Sequence, residues 1–404
     1  MIKFLRSRPG NLKTLFLRRK FWVVLVTLVI LTHFAAKSDF IKRTGLVGLD
    51  AMQGLVRLKP ANSTRIVKIT RDTLDSSFKQ MAPYHNPEKV MEAIDCIALH
   101  QPAVIAVDLL TDTPQYQNVK PKTDIPIVWA YAVNPKTGQP IQALGKSINS
   151  RYGAAMMVGD RDIMLRRYSR QVIESTTGTR FDSFPWAIVK TYCNMAKACP
   201  DHTNCENLQS SEMNESRILS NHSGLGDDDL TVFPLEDLLA GCQDWNARRQ
   251  VKNASSADSF SPNIELKNKI VILGPYYGDD LICTPRGRWR GARVIADVIE
   301  SELDKRKGIR EMPYIMEWGF DILLAILIAL LHHYLRPRPA CLAILALMTF
   351  AVFGARIAFT WGGYWANFVV LILGIWIEQL YELSSVAERY ASQIEETRSG
   401  ELIR

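Results

Sequence analysis

Seven charged side chains of this 404-residue chain have the types and placement to do chemistry: Asp72, Asp108, Asp279, Asp280, Arg286, Arg288 and Arg290. Five of them crowd one stretch, IVILGPYYGDDLICTPRGRWRG (270–291), where an apolar run feeds a glycine turn, two acids and a series of arginines. A strand entering a glycine loop is how many phosphate sites begin. GPYYGDD nevertheless matches neither G-x-x-x-x-G-K-[ST] nor G-x-G-x-x-G, and no lysine follows to meet a phosphate. The arginines can recognise an anion or the acidic surface of a partner, or they can neutralise Asp279 and Asp280. Asp108 ends one apolar run and Asp72 follows another. Carboxylates so placed cap helices and hold loop amides as readily as they meet a ligand.

Metal and nucleophile chemistry find less support. Cys193, Cys199 and Cys205 surround His202, but CNMAKAC and CPDHTNC leave gaps of five residues where zinc sites use two to four. Six of the seven cysteines lie between the apolar ends of the chain, and in an oxidising compartment that points to disulfides, with Cys193, Cys199, Cys205 and Cys242 as candidates and the pairing open. H-E-x-x-H and G-x-S-x-G are both absent from the sequence. His33 falls at the outer end of one apolar segment, and His332 and His333 at the inner end of another, so they cannot share a haem iron. No catalytic residue, metal or cofactor is expected, and the chain does not read as an enzyme.

What must position these residues is a domain held between apolar segments. Lys3, Arg6, Arg8, Lys13, Arg18, Arg19 and Lys20 carry seven of the formal net charge of +8 ahead of FWVVLVTLVILTHFAA. Such a balance is a membrane address and not a nucleic-acid surface, and it places the N-terminus in the cytoplasm. A cleaved signal peptide is the rival reading of this segment. The resulting organisation is a basic tail (1–20), a first span (21–38), an exported α/β domain with a mixed sheet and flanking helices (39–312), three further spans (315–335, 340–360, 364–381) and a cytoplasmic helical tail (382–404). Arg336 and Arg338 fall inside and the uncharged TWGGYW outside, in agreement with one topology. Asp321, Arg356 and Glu378 lie in or near spans, close enough to their ends to snorkel.

Within the exported region, residues 44–58 have apolar residues at helical spacing, RIVKIT (65–70) reads as a strand, and Asp72 is placed to cap a helix. Pro87 opens a helix, PEKVMEAIDCIALHQ, ahead of two strands, PAVIAVDLL and IPIVWAYAV, which predicts a βαβ unit. FPWAIVKTYCNMA (184–196) reads as a helix, and 197–229 as a cysteine-bearing insertion. TVFPLEDLLAG resumes with strand and helix, KIVILG is the last strong strand, and RVIADVIESELDKR the closing helix. Trp376, Leu380, Leu383, Ala387, Tyr390 and Ile394 form a short heptad seam, either a coiled coil or a solvated helix end.

This arrangement resembles the CHASE2 extracellular sensor module of bacterial histidine kinases and cyclases. LDAMQGLVRL (49–58) is similar to its juxtamembrane helix, RIVKITRDTL to its first strand and turn, PAVIAVDLL to its strand ending in Asp, and KIVILGPYYGDD with TPRGRWRGARVIADVIES to its closing segment. The resemblance covers about 40–385. MAPYHNPEK replaces a W-P-W-like segment, Arg290-Gly291 stands where Pro-Gly is usual, and the insertion is not a hallmark of the family. The resemblance implies a bacterial inner-membrane sensor, and because no fused kinase or cyclase follows, its output is expected to pass through another protein or through homo-oligomerisation. An assembly subunit of an envelope complex with no small ligand is the alternative, and a small transporter or channel built on the last three spans is the second. Expected partners are the lipid bilayer and a protein complex, with no nucleic acid.

Overall fold

The computed structural model describes residues 46–53, 62–75, 86–109, 111, 114–132, 150–155, 165–173, 178–196, 205, 216–218, 232–252, 265–278, 280–285, 287–303, 310–335, 337–362 and 364–365. The chain divides into two compact units, Gln53–Arg310 and Met1–Met52 with Glu311–Arg404.

In the first unit six strands form one sheet: β1 (Thr64–Ile69), β2 (Val104–Val107), β3 (Ile127–Tyr131), β4 (Ser150–Ala154), β5 (Val232–Pro234) and β6 (Ile270–Pro275). Their order is β4-β3-β2-β6-β1-β5 and every pair is parallel. The expected mixed sheet is thus corrected to a parallel one. Its central strands are short β-branched runs buried on both faces, which suits a sheet covered by helices on either side. Among the described residues antiparallel pairing is confined to small ribbons, such as Arg167–Ser169 with Ser216–Ile218.

Four helices supply that cover: α1 (Pro87–Leu99), α2 (Phe184–Ala196), α3 (Leu235–Lys252) and α4 (Gly291–Leu303). Alternation along the strands decides which helix meets which side chain. Val67, Ile69, Ile105, Val107 and Leu273 share a core with α1 and α3, while Ile66, Val104, Ala106, Ile270 and Ile272 share one with α2 and α4. Helix α1 starts as its sequence dictates, with Pro87 in the first turn and the Asn86 side chain accepting a 3.0 Å hydrogen bond from the Glu88 amide. Helix α2 lies directly on the sheet, because a Cβ at Gly153 would stand 2.5 Å from Phe184 Cα. The predicted βαβ unit is parallel, yet β1 and β2 are not neighbours: β6, more than 160 residues further along, lies between them.

Two disulfides cross-link this unit. Cys96 to Cys242 joins α1 to α3, and Cys193 to Cys205 ties a point of the insertion to the end of α2. Cys199 lies outside the described residues, and Cys283 forms no disulfide. The predicted cap at Asp72 is corrected as well. Thr70 caps the short helix Arg71–Thr73, and Asp72 stands inside its first turn. The Thr70 hydroxyl accepts from the Thr73 amide at 3.1 Å and the Thr73 hydroxyl accepts from the Thr70 amide at 3.0 Å, a reciprocal capping box in which Asp72 takes no part.

In the second unit α5 (Tyr314–Tyr334) and α6 (Pro337–Ile357) pack through Leu324, Ile328 and Leu331 against Ile344, Leu347 and Met348. Among the described residues one helical stretch, Leu342–Thr360, has the length and composition to cross a membrane. Only 11% of it is buried, so its apolar side chains face outward, as lipid contact requires and a soluble core does not. It falls within the expected span 340–360; the range expected for 315–335 is helical, as α5, but is not such a stretch. The spans expected at 21–38 and, beyond Trp365, at 364–381, and the heptad seam, lie outside the described residues.

Candidate functional site

The chain leaves the adjacent strands β1 and β6 toward opposite faces of the sheet. From β1 it reaches α1 on one face, and from β6 it reaches α4 on the other. Divergence of this kind opens a crevice at the carboxyl ends of the strands, where open α/β sheets place their ligands. Two of the acids singled out in the sequence, Asp108 and Asp280, lie at this edge.

The β6 segment turns sharply beyond the sheet. Tyr276 donates its amide to the Ile69 carbonyl at 2.8 Å, extending the pairing of β6 with β1. Gly278 then takes φ +64°, a conformation that favours glycine. The chain continues as an antiparallel ribbon of β7 (Leu281–Thr284) and β8 (Gly287–Arg290), with Leu281 opposite Arg290 and Thr284 opposite Gly287. Gly287, with φ +118°, completes its tip.

This ribbon returns Arg290 and Gly291 to the turn they left. The Asp280 carboxylate accepts a hydrogen bond at 3.1 Å from the Gly291 amide, the first of α4, and the Arg290 guanidinium donates to the Gly278 carbonyl at 2.8 Å. A side chain at residue 291 would push the capping carboxylate aside, since a Cβ would lie 2.7 Å from Asp280 Oδ1. The sequence departure Arg290-Gly291 therefore has a structural use at both positions. Arg290 and Lys68 also flank the Tyr276 ring, at 5.7 and 5.8 Å from its centroid.

Asp108 arrives from β2. Its amide donates to the Leu273 carbonyl at 2.8 Å, and its side chain lies against Gly274, where a Cβ would meet Asp108 Cβ at 3.4 Å and Ala292 Cβ at 3.1 Å. Dense surroundings and the nearby Asp280 push its carboxyl up to about 7, although part of the residue remains open to water. Burial also raises Asp280, against the opposing pull of the Gly291 amide and Arg290. Tyr277 is raised by burial and then by Asp280, and buried Tyr116, in the turn Pro114–Asn118, is raised by burial and then by Tyr277.

Of the seven residues proposed from sequence, then, Asp108, Asp280 and Arg290 meet. Arg288 is exposed on β8, opposite Cys283. Asp72 is exposed beyond the end of β1. Asp279 and Arg286 lie outside the described residues. Sequence reasoning passed over Tyr276, Tyr277 and Lys68, although the pair of tyrosines immediately after the last strong strand was visible. It also passed over Glu236, in the first turn of α3, which accepts hydrogen bonds from the Thr70 and Thr73 hydroxyls at the same edge. Among the described residues no three His, Cys, Asp or Glu side chains converge as metal ligands.

Helix α4 links this edge to the opposite one. It is buried at nearly every residue, and its last turn is held where β1 begins: Glu300 accepts from the amides of Ser63 and Thr64, both at 2.7 Å, and from the Thr64 hydroxyl at 2.8 Å. Glu302 accepts from Arg170 at 3.1 and 2.7 Å and from the Tyr168 hydroxyl at 3.0 Å, while Arg170 stacks 4.0 Å over Trp186 of α2. One rigid element is thus fastened at the carboxyl edge through Asp280 and at the amino edge through two glutamates.

No curated protein matches the chain, and no solved structure does. The model of the CHASE2 domain matches residues 23–331, well over half of the sequence, and the chain belongs to that family.

Proposed function

We propose that this chain is the input subunit of an envelope-sensing system. CHASE2 domains are extracellular sensory domains. In this reading the α/β unit lies in the periplasm, the chain is a multi-pass protein of the bacterial inner membrane with both termini in the cytoplasm, and the response passes to a separate output polypeptide. The chain itself catalyses no reaction.

The observation that carries the reading is α4. A helix tethered at one end to the acid-lined edge of a parallel sheet and at the other to the start of β1 moves as a unit when either tether changes. By sequence it is also the last helix of its unit before the apolar α5 and α6. A change at Asp108 and Asp280 therefore has a short covalent route to the membrane segments.

Cross-linking in native membranes, followed by purification through a tag on the chain, tests this. Retention of a membrane or cytoplasmic signalling protein that varies with envelope conditions supports it. A constant, stoichiometric envelope complex indifferent to conditions would replace the sensor with an assembly role. Labelling of single cysteines placed at residue 10 and at residue 337 checks the orientation, since both are expected to react only from the cytoplasmic side.

A further inference from the structure

Asp108 and Asp280 are 172 positions apart in sequence, yet both stand at the first turn of α4, Asp108 against Gly274 beside Ala292 and Asp280 on the Gly291 amide. Two glycines make this arrangement possible. At Gly274 a side chain would occupy the space between Asp108 and Ala292, and at Gly291 one would displace the Asp280 carboxylate from the amide it caps. With bare backbone at both positions, Asp108 packs toward Ala292 of α4 while Asp280 caps the Gly291 amide one residue before it.

The groups facing this pair are few. Arg290 approaches Asp280 from β8, but its guanidinium is also committed to the Gly278 carbonyl. Tyr277 faces Asp280 from the β6 turn, with Tyr116 behind it, and both stay neutral at ordinary pH because burial raises them further. Lys68 of β1 lies on the far partner, Tyr276, and α4 offers only Gly291 and Ala292 at this point. Asp280 has the amide and the arginine to hold its charge, and among the described residues no amide or cation does the same for the Asp108 carboxyl. A proton shared by two neighbouring carboxyls therefore resides on Asp108.

We propose that Asp108 and Asp280 form a proton-operated latch on α4: with Asp108 protonated the Asp280 cap holds the first turn closed, and with both ionised their repulsion loosens it. The helix that the sensor reading treats as its moving element would then answer directly to the pH outside the membrane. The inference rests on that reading for its consequence only, and the chemistry of the latch can be tested without it.

Hydrogen exchange of the full chain in lipid nanodiscs, corrected for the intrinsic pH dependence of exchange, measures the latch. The amides of Ala292 to Ile295 are expected to lose about tenfold in protection as pH rises by about a unit through the titration of Asp108. Asp108→Asn is expected to keep them protected throughout. Infrared titration of the unaltered chain provides a reading that needs no variant: a protonated-carboxyl band that disappears near neutral pH. Protection that is flat with pH in the unaltered chain, a response that survives Asp108→Asn, or absence of the infrared band would each overturn the proposal. A flat profile beside condition-dependent retention of a signalling partner removes the latch and leaves the sensor reading. A working latch in a constant envelope complex does the reverse.

Discussion

The carboxylate of Asp280 and the amide of Gly291 close a loop of eleven residues with one 3.1 Å hydrogen bond, and that bond is also the cap of the helix that follows. Turn and helix are therefore a single structural unit. Asp280→Ala removes the cap and should lower stability by about 1 kcal/mol. Gly291→Ala should cost less, because its methyl meets only the movable capping oxygens and alanine is the better helix former. Chemical denaturation of the two variants, side by side, checks the order.

Arg170 and Glu302 form an ion pair at 2.7 Å with both side chains almost wholly enclosed. Removing one partner leaves a charge in a place that water does not reach. Arg170→Met is expected to destabilise the unit by about 3–5 kcal/mol, and the double variant Arg170→Met, Glu302→Gln to recover a substantial part of that loss. A double-mutant cycle on denaturation midpoints measures the coupling.

The two disulfides should differ in what they contribute. Cys96–Cys242 closes a loop of 146 residues and joins two helices of one core, whereas Cys193–Cys205 closes one of 12. Loop-closure entropy makes the longer link worth about 4–5 kcal/mol and the shorter about 3 kcal/mol. Cys96→Ala with Cys242→Ala should therefore lower the melting temperature more than Cys193→Ala with Cys205→Ala. Peptide mapping without reductant checks the pairing itself.

His100 and Asp108 place opposite slopes on the same pH interval. Burial holds His100 down to about 4 from 6.5, so the folded state binds fewer protons than the unfolded one, and stability is lost as pH falls from about 6.5 toward 4. Asp108 rises from 3.8 to about 7, so the folded state holds a proton that the unfolded chain releases, and stability is lost as pH climbs through that range. The unaltered protein should show a shallow dependence between about pH 4 and 7. His100→Asn should make stability fall with rising pH, and Asp108→Asn should make it fall with rising acidity. Thermal melts across the interval distinguish the three profiles.

Much of the unit was legible in the chain. FPWAIVKTYCNMA coincides with α2 residue for residue, and Pro87 announced the start of α1. These features depend on neighbours within a few positions, where apolar spacing and capping chemistry act without help from the rest of the molecule. Asp72 shows how soon local reasoning weakens. Two hydroxyls and an acid compete for one turn, and Glu236, from another part of the chain, joins Thr70 and Thr73 there.

The sequence by itself determined the family, the apolar strands of the core and the interest of the 270–291 segment, because each is written in contiguous residues; that every strand pair of the sheet is parallel was not among them. Only the tertiary structure decided that β6 inserts between β1 and β2, and with it every relationship that matters at the candidate site. Strand order is an outcome of which buried faces fit together, and no periodicity records it. Once β6 lies beside β2, Gly274 stands against Asp108, the turn beyond it delivers Asp280, and two acids that the sequence keeps far apart meet on one helix end.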